Sequence, residues 1–286
     1  MATFGDMAEP LAFANTQGMV LFVCHRILCM RITVLNDEKP GRCLAEHGLS
    51  FLIDCGEKIL FDVGPSDIFV RNAAELGIDL NEVETIVLSH GHWDHTNGLK
   101  YINGKKLVAH PDCFAKRFRK KDRKYNGVPI TRSEAEKQFT LVLSKKPHKL
   151  SDDVIFLGEI PRLNDFEAKK TEFYLDDGTD DFILGDSALA IKTGNGLVVV
   201  AGCSHAGICN IIEHAKLASG ERKIYAVIGG FHLLQYDEAA RKTIEYFKKE
   251  RIAKIFPSHC VSETVIDEMS KEFKINRIRS GDVIDI

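Results

Sequence analysis

From residue 89 to residue 96 the chain reads Ser-His-Gly-His-Trp-Asp-His-Thr, so His90, His92, Asp94 and His95 fall within six residues. A lone histidine in a polar loop is ordinarily a solvated residue, but three imidazoles and a carboxylate at this spacing form a metal-ligand set. Imidazole nitrogen suits zinc, iron and manganese, and a carboxylate keeps the harder of these ions within reach. In an extended loop His90, His92 and Asp94 lean to one side while His95 turns to the other, which can serve two ions. The expected cofactor is therefore one or two divalent ions, zinc first, with iron or manganese compatible. Such an ion acts as a Lewis acid and lowers the pKa of water toward roughly 7, so hydrolysis is the default chemistry. Asp94 has a second candidate role, as the acceptor of a proton from that water.

The run at residues 85–89 is short, apolar and partly β-branched, and reads as a buried strand ending in the ligand loop. Ahead of it, residues 31–35 read as a first strand, and residues 49–54 and 58–63 as a hairpin around Cys55-Gly56-Glu57. Ser66 reads as the N-cap of a helix carrying Ile68, Phe69, Ala73 and Leu76 at helical spacing, with Gly77 as its stop. In the second half, Gly194-Asn195-Gly196 between residues 187–193 and 197–201 signals another hairpin. Strands at 224–228 and 254–256 then alternate with helices near 207–218, 236–249 and 262–271. Each strand of this half ends in a candidate group: Cys203 or His205, then His232, then His259. Three successive strand ends carrying such side chains imply one shared rim.

At these residues the chain resembles the metallo-β-lactamase superfamily, whose signature His-X-His-X-Asp-His stands here as His90-Gly91-His92-Trp93-Asp94-His95. Phe61-Asp62-Val63-Gly64-Pro65-Ser66 looks like the family's second-strand motif. Ala45-Glu46-His47-Gly48, Gly202-Cys203-Ser204-His205 and Gly229-Gly230-Phe231-His232 resemble the group containing archaeal dihydropterin–ribofuranosylaminobenzene 5′-phosphate synthase. The resemblance spans roughly residues 30–100 and 185–286. It implies an α/β, four-layer αββα fold with an inserted segment, and a centre in which His90 and His92 hold a first metal. By the same resemblance Asp94, His95 and His259 hold a second, with Pro257-Ser258-His259 as the late motif. Two positions depart from the pattern. Gly202-Cys203-Ser204-His205 stands where the family has a bridging Asp, and no His lies between His148 and His205 to serve as the first metal's third ligand. Either His205 fills the gap with Cys203 on or near the metal as thiolate, or a single ion is held tightly. His232 reads as a substrate or proton-transfer group, since its Gly-Gly turn lets backbone approach a ligand closely, and His47 as a residue that could reach the same rim.

The 286 residues are 44% hydrophobic and 28% charged, with a net charge of −3, which suits a soluble α/β protein and implies no polyanionic partner. A nucleic acid is thereby disfavoured, and oligomeric state is left open. The cysteines at 24, 29, 43, 55, 113, 203, 209 and 260 contain no Cys-X-X-Cys pair, and read as reduced thiols of a cytoplasmic protein. Residues 19–30 are apolar but too short to span a bilayer, so residues 1–29 read as an extension and 30–286 as the domain. Residues 103–180 show weak periodicity and read as an insertion over the site. Its basic run reads as a solvated helix face or as a patch receiving substrate phosphate, for which Lys116, Arg117 and Arg119 are the candidates.

The leading functional expectation is an enzyme acting on a small phosphorylated or diphosphorylated substrate. Its reaction would be hydrolysis or, as the resemblance to the synthase group implies, dihydropterin-methyl transfer with loss of diphosphate. The alternatives are a metal-dependent phosphodiesterase or nuclease, and a non-catalytic small-molecule sensor on the same fold.

Overall fold

A computed structural model describes residues 30–286 and, ahead of them, the short antiparallel pair Phe13–Ala14 and Val20–Leu21. The expectation of an N-terminal extension falls otherwise outside the described residues, as do Cys24 and Cys29. Two mixed sheets carry the fold. The first has seven strands in the spatial order Val283–Asp285, Arg31–Asn36, Ser50–Asp54, Lys58–Phe61, Thr85–Val87, Lys106–Ala109, Thr140–Leu143. The second has six: His148–Lys149, Val154–Phe156, Ala188–Thr193, Gly196–Ala201, Ile224–Gly229, Lys254–Pro257.

Alternation along the strands sets the layers. Phe51, Ile53 and Ile59 point inward to meet Leu189, Ile191, Val198 and Val200 from the facing sheet. Leu52, Leu60 and Ile86 point outward onto Phe69 and Ala73 of the helix Ile68–Glu75. On the far side Ala190, Val199 and Val227 pack under the helices Ile208–Ser219, Glu238–Glu250 and Glu263–Ser270. The result is the four-layer αββα sandwich.

Residues 103–180 are only in part an insertion. They supply the last two strands at one side of each sheet, and Arg117–Arg119 pairs with Phe173–Leu175 in a two-stranded ribbon outside both. These strands run two to four residues and are interrupted by loops, too short for a period of two to stand out in sequence. The basic run is accordingly strand and turn rather than a helix face.

The neighbours Lys58–Phe61 and Thr85–Val87 run parallel in the first sheet, as do Gly196–Ala201, Ile224–Gly229 and Lys254–Pro257 in the second. Each set therefore discharges its C-terminal loops at one end, and those ends meet at a common rim. Asp62, Ser204, His232 and Cys260, all in these loops, hold φ between 50° and 62°, a left-handed conformation costly for non-glycine residues. Such strain persists where surrounding structure over-determines the backbone, commonly at functional sites.

Candidate metal centre

The chain leaves the strand Thr85–Val87, passes His90 and then winds into one helical turn, Trp93–Thr96, for which His92 is the extended N-terminal residue. The loop is thus not extended throughout as its sequence suggests. Helical winding from residue 93 brings Asp94 and His95, adjacent in sequence, to the same centre. Close packing fixes the loops: a Cβ at Gly91 would strike the carbonyl of Cys113, and one at Gly202 the hydroxyl of Ser89.

Donor atoms of His90, Cys203 and His205 lie within 4.8 Å of one another, and so do those of His95, Cys203 and His259. The His92 ring packs between these groups, with its centroid 4.6 Å from that of His90 and 4.7 Å from that of His205. Opposite, Asp94 Oδ2 lies 3.2 Å from His259 Nε2 and 3.6 Å from His95 Nε2. His90, His92 and His205 therefore form one half of the cluster and Asp94, His95 and His259 the other. Cys203 lies between them, its Sγ 3.2 Å from His95 Nε2.

The chemistry of this set fits divalent ions. His90 Nε2 and His92 Nε2 are buried without a hydrogen-bond partner among the described residues, an arrangement that costs about 1–3 kcal/mol per group unless something coordinates it. Burial, reinforced by neighbouring imidazoles, holds His90 and His205 well below the ordinary histidine range, and burial does the same for His92. All three are neutral, as ligands must be. Burial would raise Asp94, but His95 and His259 outweigh it and keep the carboxylate ionised. Burial and the facing Cys260 raise the Cys203 thiol, so its proton is released only to a strong local positive charge such as a cation. Nitrogen with one sulfur and one carboxylate is a donor set that suits a divalent transition-metal ion.

Behind the donors stands a second set of carboxylates. Asp62 accepts from Ser89 N, Ser89 Oγ and His95 Nδ1, each at 2.7 Å, and Ser89 Oγ also lies 2.9 Å from His90 Nδ1. These bonds occupy both Nδ1 atoms and leave both Nε2 atoms facing inward. Asp37 Oδ2 accepts from the His259 amide at 3.0 Å and from the Ser258 hydroxyl. Glu38 Oε1 lies 3.0 Å from His259 Nδ1 and 2.5 Å from His47 Nδ1. His47, largely exposed, reaches the rim with Nε2 3.3 Å from Asp94 Oδ2. Asp62 and Ser89 sit in quoted motifs, and a carboxylate ending a strand beside the ligand strand was the signal that could have assigned them. Asp37 and Glu38 carry no such mark.

Asp62→Asn is expected to weaken metal retention by about 10- to 100-fold. Asparagine tolerates the left-handed backbone at this position, but its amide turns a donor toward His95 or Ser89 and disfavours the Nδ1–H tautomer. Competition against a chromophoric chelator measures the change, and wild-type affinity would remove Asp62 from the site.

His232 packs against His205, ring centroids 4.4 Å apart, and both line a cavity of about 470 Å3 that also includes Phe173, Phe182, Lys169 and Lys170. Burial pushes the His232 imidazole down to about 4, so it is neutral at pH 7 and able to accept a proton. The three basic candidates are not brought to this cavity. Lys116 is exposed and paired with Asp176, and Arg119 is clamped by Asp122. Arg117 has no exposed side chain: its guanidinium lies 2.8 Å from Asp112 and 3.0 Å from Asp181, so it cannot meet a substrate arriving from solvent.

Residues 45–109 match the model of the metallo-beta-lactamase superfamily. A Methanocaldococcus jannaschii protein named 7,8-dihydropterin-6-methyl-4-(beta-D-ribofuranosyl)-aminobenzene-5'-phosphate synthase is 35% identical over 265 residues, covering 84% of this chain and 90% of that protein. The crystal structure of Tm1679, described as a metal-dependent hydrolase of the beta-lactamase superfamily, superposes with a TM-score of 0.81 at 30% identity, covering 90% of this chain and 99% of its own. The metallo-beta-lactamase fold protein YhfI from Bacillus subtilis shares the fold at 14% identity and a TM-score of 0.56, over 90% of this chain and 99% of its own. On its fold, its ligand loop and these relatives, the chain belongs to the metallo-beta-lactamase superfamily.

Proposed function

We propose that this protein is a metal-dependent enzyme acting on a small phosphorylated or diphosphorylated substrate, by hydrolysis or by transfer of a dihydropterin-methyl group with loss of diphosphate. The observation that carries the reading is the convergence of seven imidazole, carboxylate and thiol donors, Cys203 among them and shared between the two halves, open to a cavity of substrate size. Cys203 and His205 offer donors that would stand in for the bridging Asp and third His absent from the family pattern, which supports an enzyme over a sensor. Divalent ions there would supply Lewis acidity at a phosphoryl oxygen and lower the pKa of water. His90, His92 and His205 would hold one ion, Asp94, His95 and His259 the other, with Cys203 common to both.

The chain's own groups set the rest. Asp62, Ser89, Asp37 and Glu38 orient the imidazoles, Phe173 and Phe182 exclude water from the cavity, and neutral His232 takes up or returns a proton beside His205. Lys169 and Lys170, at the cavity mouth, supply positive charge for phosphate. The name of the archaeal relative favours transfer, and the description of Tm1679 favours hydrolysis.

The test is to strip the protein with a chelator, reload it with zinc, iron or manganese in turn, and follow phosphate release from diphosphate and phosphate-ester substrates. Turnover restored by one of these ions is the expected result. Failure to retain any of them would remove the proposed catalyst.

A further inference from the structure

The helix Ile208–Ser219 begins shortly after His205, and Gly207 ahead of it has no side chain with which to cap it. The cap comes from another part of the chain. Glu167, 42 residues before Cys209, is buried and accepts from the Cys209 amide at Oε1 and from the Asn210 amide at Oε2, each at 2.9 Å. A carboxylate suits this place, because the first amides of a helix lack partners within it and carry partial positive charge. Gly207 is what admits it: a Cβ there would lie 2.3 Å from Glu167 Oε2, and the backbone stands at φ 94°. We propose that Glu167 is a positioning residue whose carboxylate fastens residues 164–171, as a strap, along the cavity beside His205 and His232.

The neighbouring contacts show what depends on it. Glu167 Oε2 also accepts from Asn164 Nδ2 at 2.6 Å. Asn210 Oδ1 accepts from the Leu163 and Asn164 amides at 2.8 Å and 3.1 Å, which ties the start of the strap to the same helix. The far end is fixed where the Thr171 hydroxyl donates to the Asp181 carbonyl, just before the strand Phe173–Leu175. Between these ends Ala168 turns at φ 54°, a conformation costly for alanine, and Lys169 and Lys170 follow along the cavity. The half-buried Phe166 ring and a 3.7 Å surface pair of Lys242 with Asp165 add to the hold, but it is Glu167 that joins the middle of the strap to the helix amides.

The turn bearing His205 has anchors of its own. Its Ala206 amide donates to Asp186 Oδ2 at 2.9 Å, and its Gly207 amide to the Ser204 carbonyl at 2.9 Å. Loss of the Glu167 carboxylate therefore frees Lys169 and Lys170 from the cavity wall while the metal ligands stay in place. That consequence for substrate rests on the reading of the centre given above, whereas the clasp itself needs no turnover.

Glu167→Ala and Glu167→Gln test it in the full-length, zinc-reloaded protein by limited trypsin digestion, with cleavage sites mapped by mass spectrometry. Cleavage after Lys169 or Lys170 requires the strap to leave its bed and enter the protease. Cleavage in the turn at residues 120–122 is the internal reference. Relative to it, strap cleavage is expected to be about tenfold faster in Glu167→Ala. Glu167→Gln should be intermediate, since a carboxamide keeps one acceptor oxygen where two are used. Metal content should equal that of wild type, and KM for phenyl phosphate should rise about tenfold with kcat unchanged, the pattern of binding lost equally from ground and transition states. Equal strap cleavage in the variants overturns the proposal. So does a fall in metal content or kcat with KM unchanged, which would place Glu167 in the service of the centre or the fold alone. Where the alanine variant does not fold, the isosteric glutamine variant decides by the same readings. Should no ion support turnover, the cleavage ratio still decides the clasp, and turnover with an unchanged cleavage ratio removes the clasp alone.

Discussion

Cys203→Ser should strip the protein of shared coordination and lower turnover on the order of a thousandfold, about 4 kcal/mol of lost transition-state stabilisation. Cys203 Sγ belongs to both donor groups, with His90 and His205 on one side and His95 and His259 on the other. A serine hydroxyl in the same buried place is a harder donor that holds its proton far more tightly, so it cannot offer an anion to two cations. His205→Ala removes a donor from one half alone. Elemental analysis after gel filtration should therefore find one ion per chain retained by the His205 variant and fewer by the Cys203 variant. Substitution of cobalt gives a second readout, since a sulfur-to-metal charge-transfer band is expected in wild type and in His205→Ala but not in Cys203→Ser. Full stoichiometry in Cys203→Ser would leave Cys203 as a packing residue and sink the shared-ligand arrangement.

The parts of this site that were legible are those whose chemistry is written in consecutive residues. The His90–His95 run and the strand-ending Cys203, His205, His232 and His259 could be read because parallel strands deliver their loops to one end, and apolar runs reveal the strands. The layers were implied by the family resemblance rather than by the strand patterns, and the hairpin at Gly194-Asn195-Gly196 followed from turn chemistry, its two-residue turn being Gly194-Asn195 with Thr193 paired to Gly196. What could not be read depends on tertiary proximity. Asp37 and Glu38 lie more than two hundred residues from His259, and nothing in their local sequence announces that one binds its amide and the other approaches its ring. The sharing of Cys203 needs the two sheets to meet before it can be seen. Segment 103–180 hid its strands because two- to four-residue strands carry too little pattern.

Arg117 shows most directly how charge in sequence misleads, and Arg117→Ala is expected to cost about 3–5 kcal/mol of folding stability. In sequence it is one cation in a basic run. In the fold its side chain has no exposure and bridges Asp112 at 2.8 Å and Asp181 at 3.0 Å, while its guanidinium also donates to the Asp112 carbonyl at 2.9 Å. Nearby Lys116 is exposed and Arg119 partly so, and both spend their charge on surface pairs. Truncating Arg117 leaves Asp181 buried without its ion-pair partner, the circumstance in which a broken ion pair is most damaging. Lysine is no substitute, because a single ammonium cannot reproduce the fork that spans two carboxylates. Lys116→Ala and Arg119→Ala, by contrast, should move stability by less than about 0.5 kcal/mol. Urea unfolding of the three variants separates the readings. A stable Arg117→Ala protein whose KM alone has risen would return Arg117 to the substrate, whereas a lowered midpoint with unchanged KM identifies it as the buried clamp between the Asp112 turn and the Phe173–Leu175 ribbon, behind the metal loop.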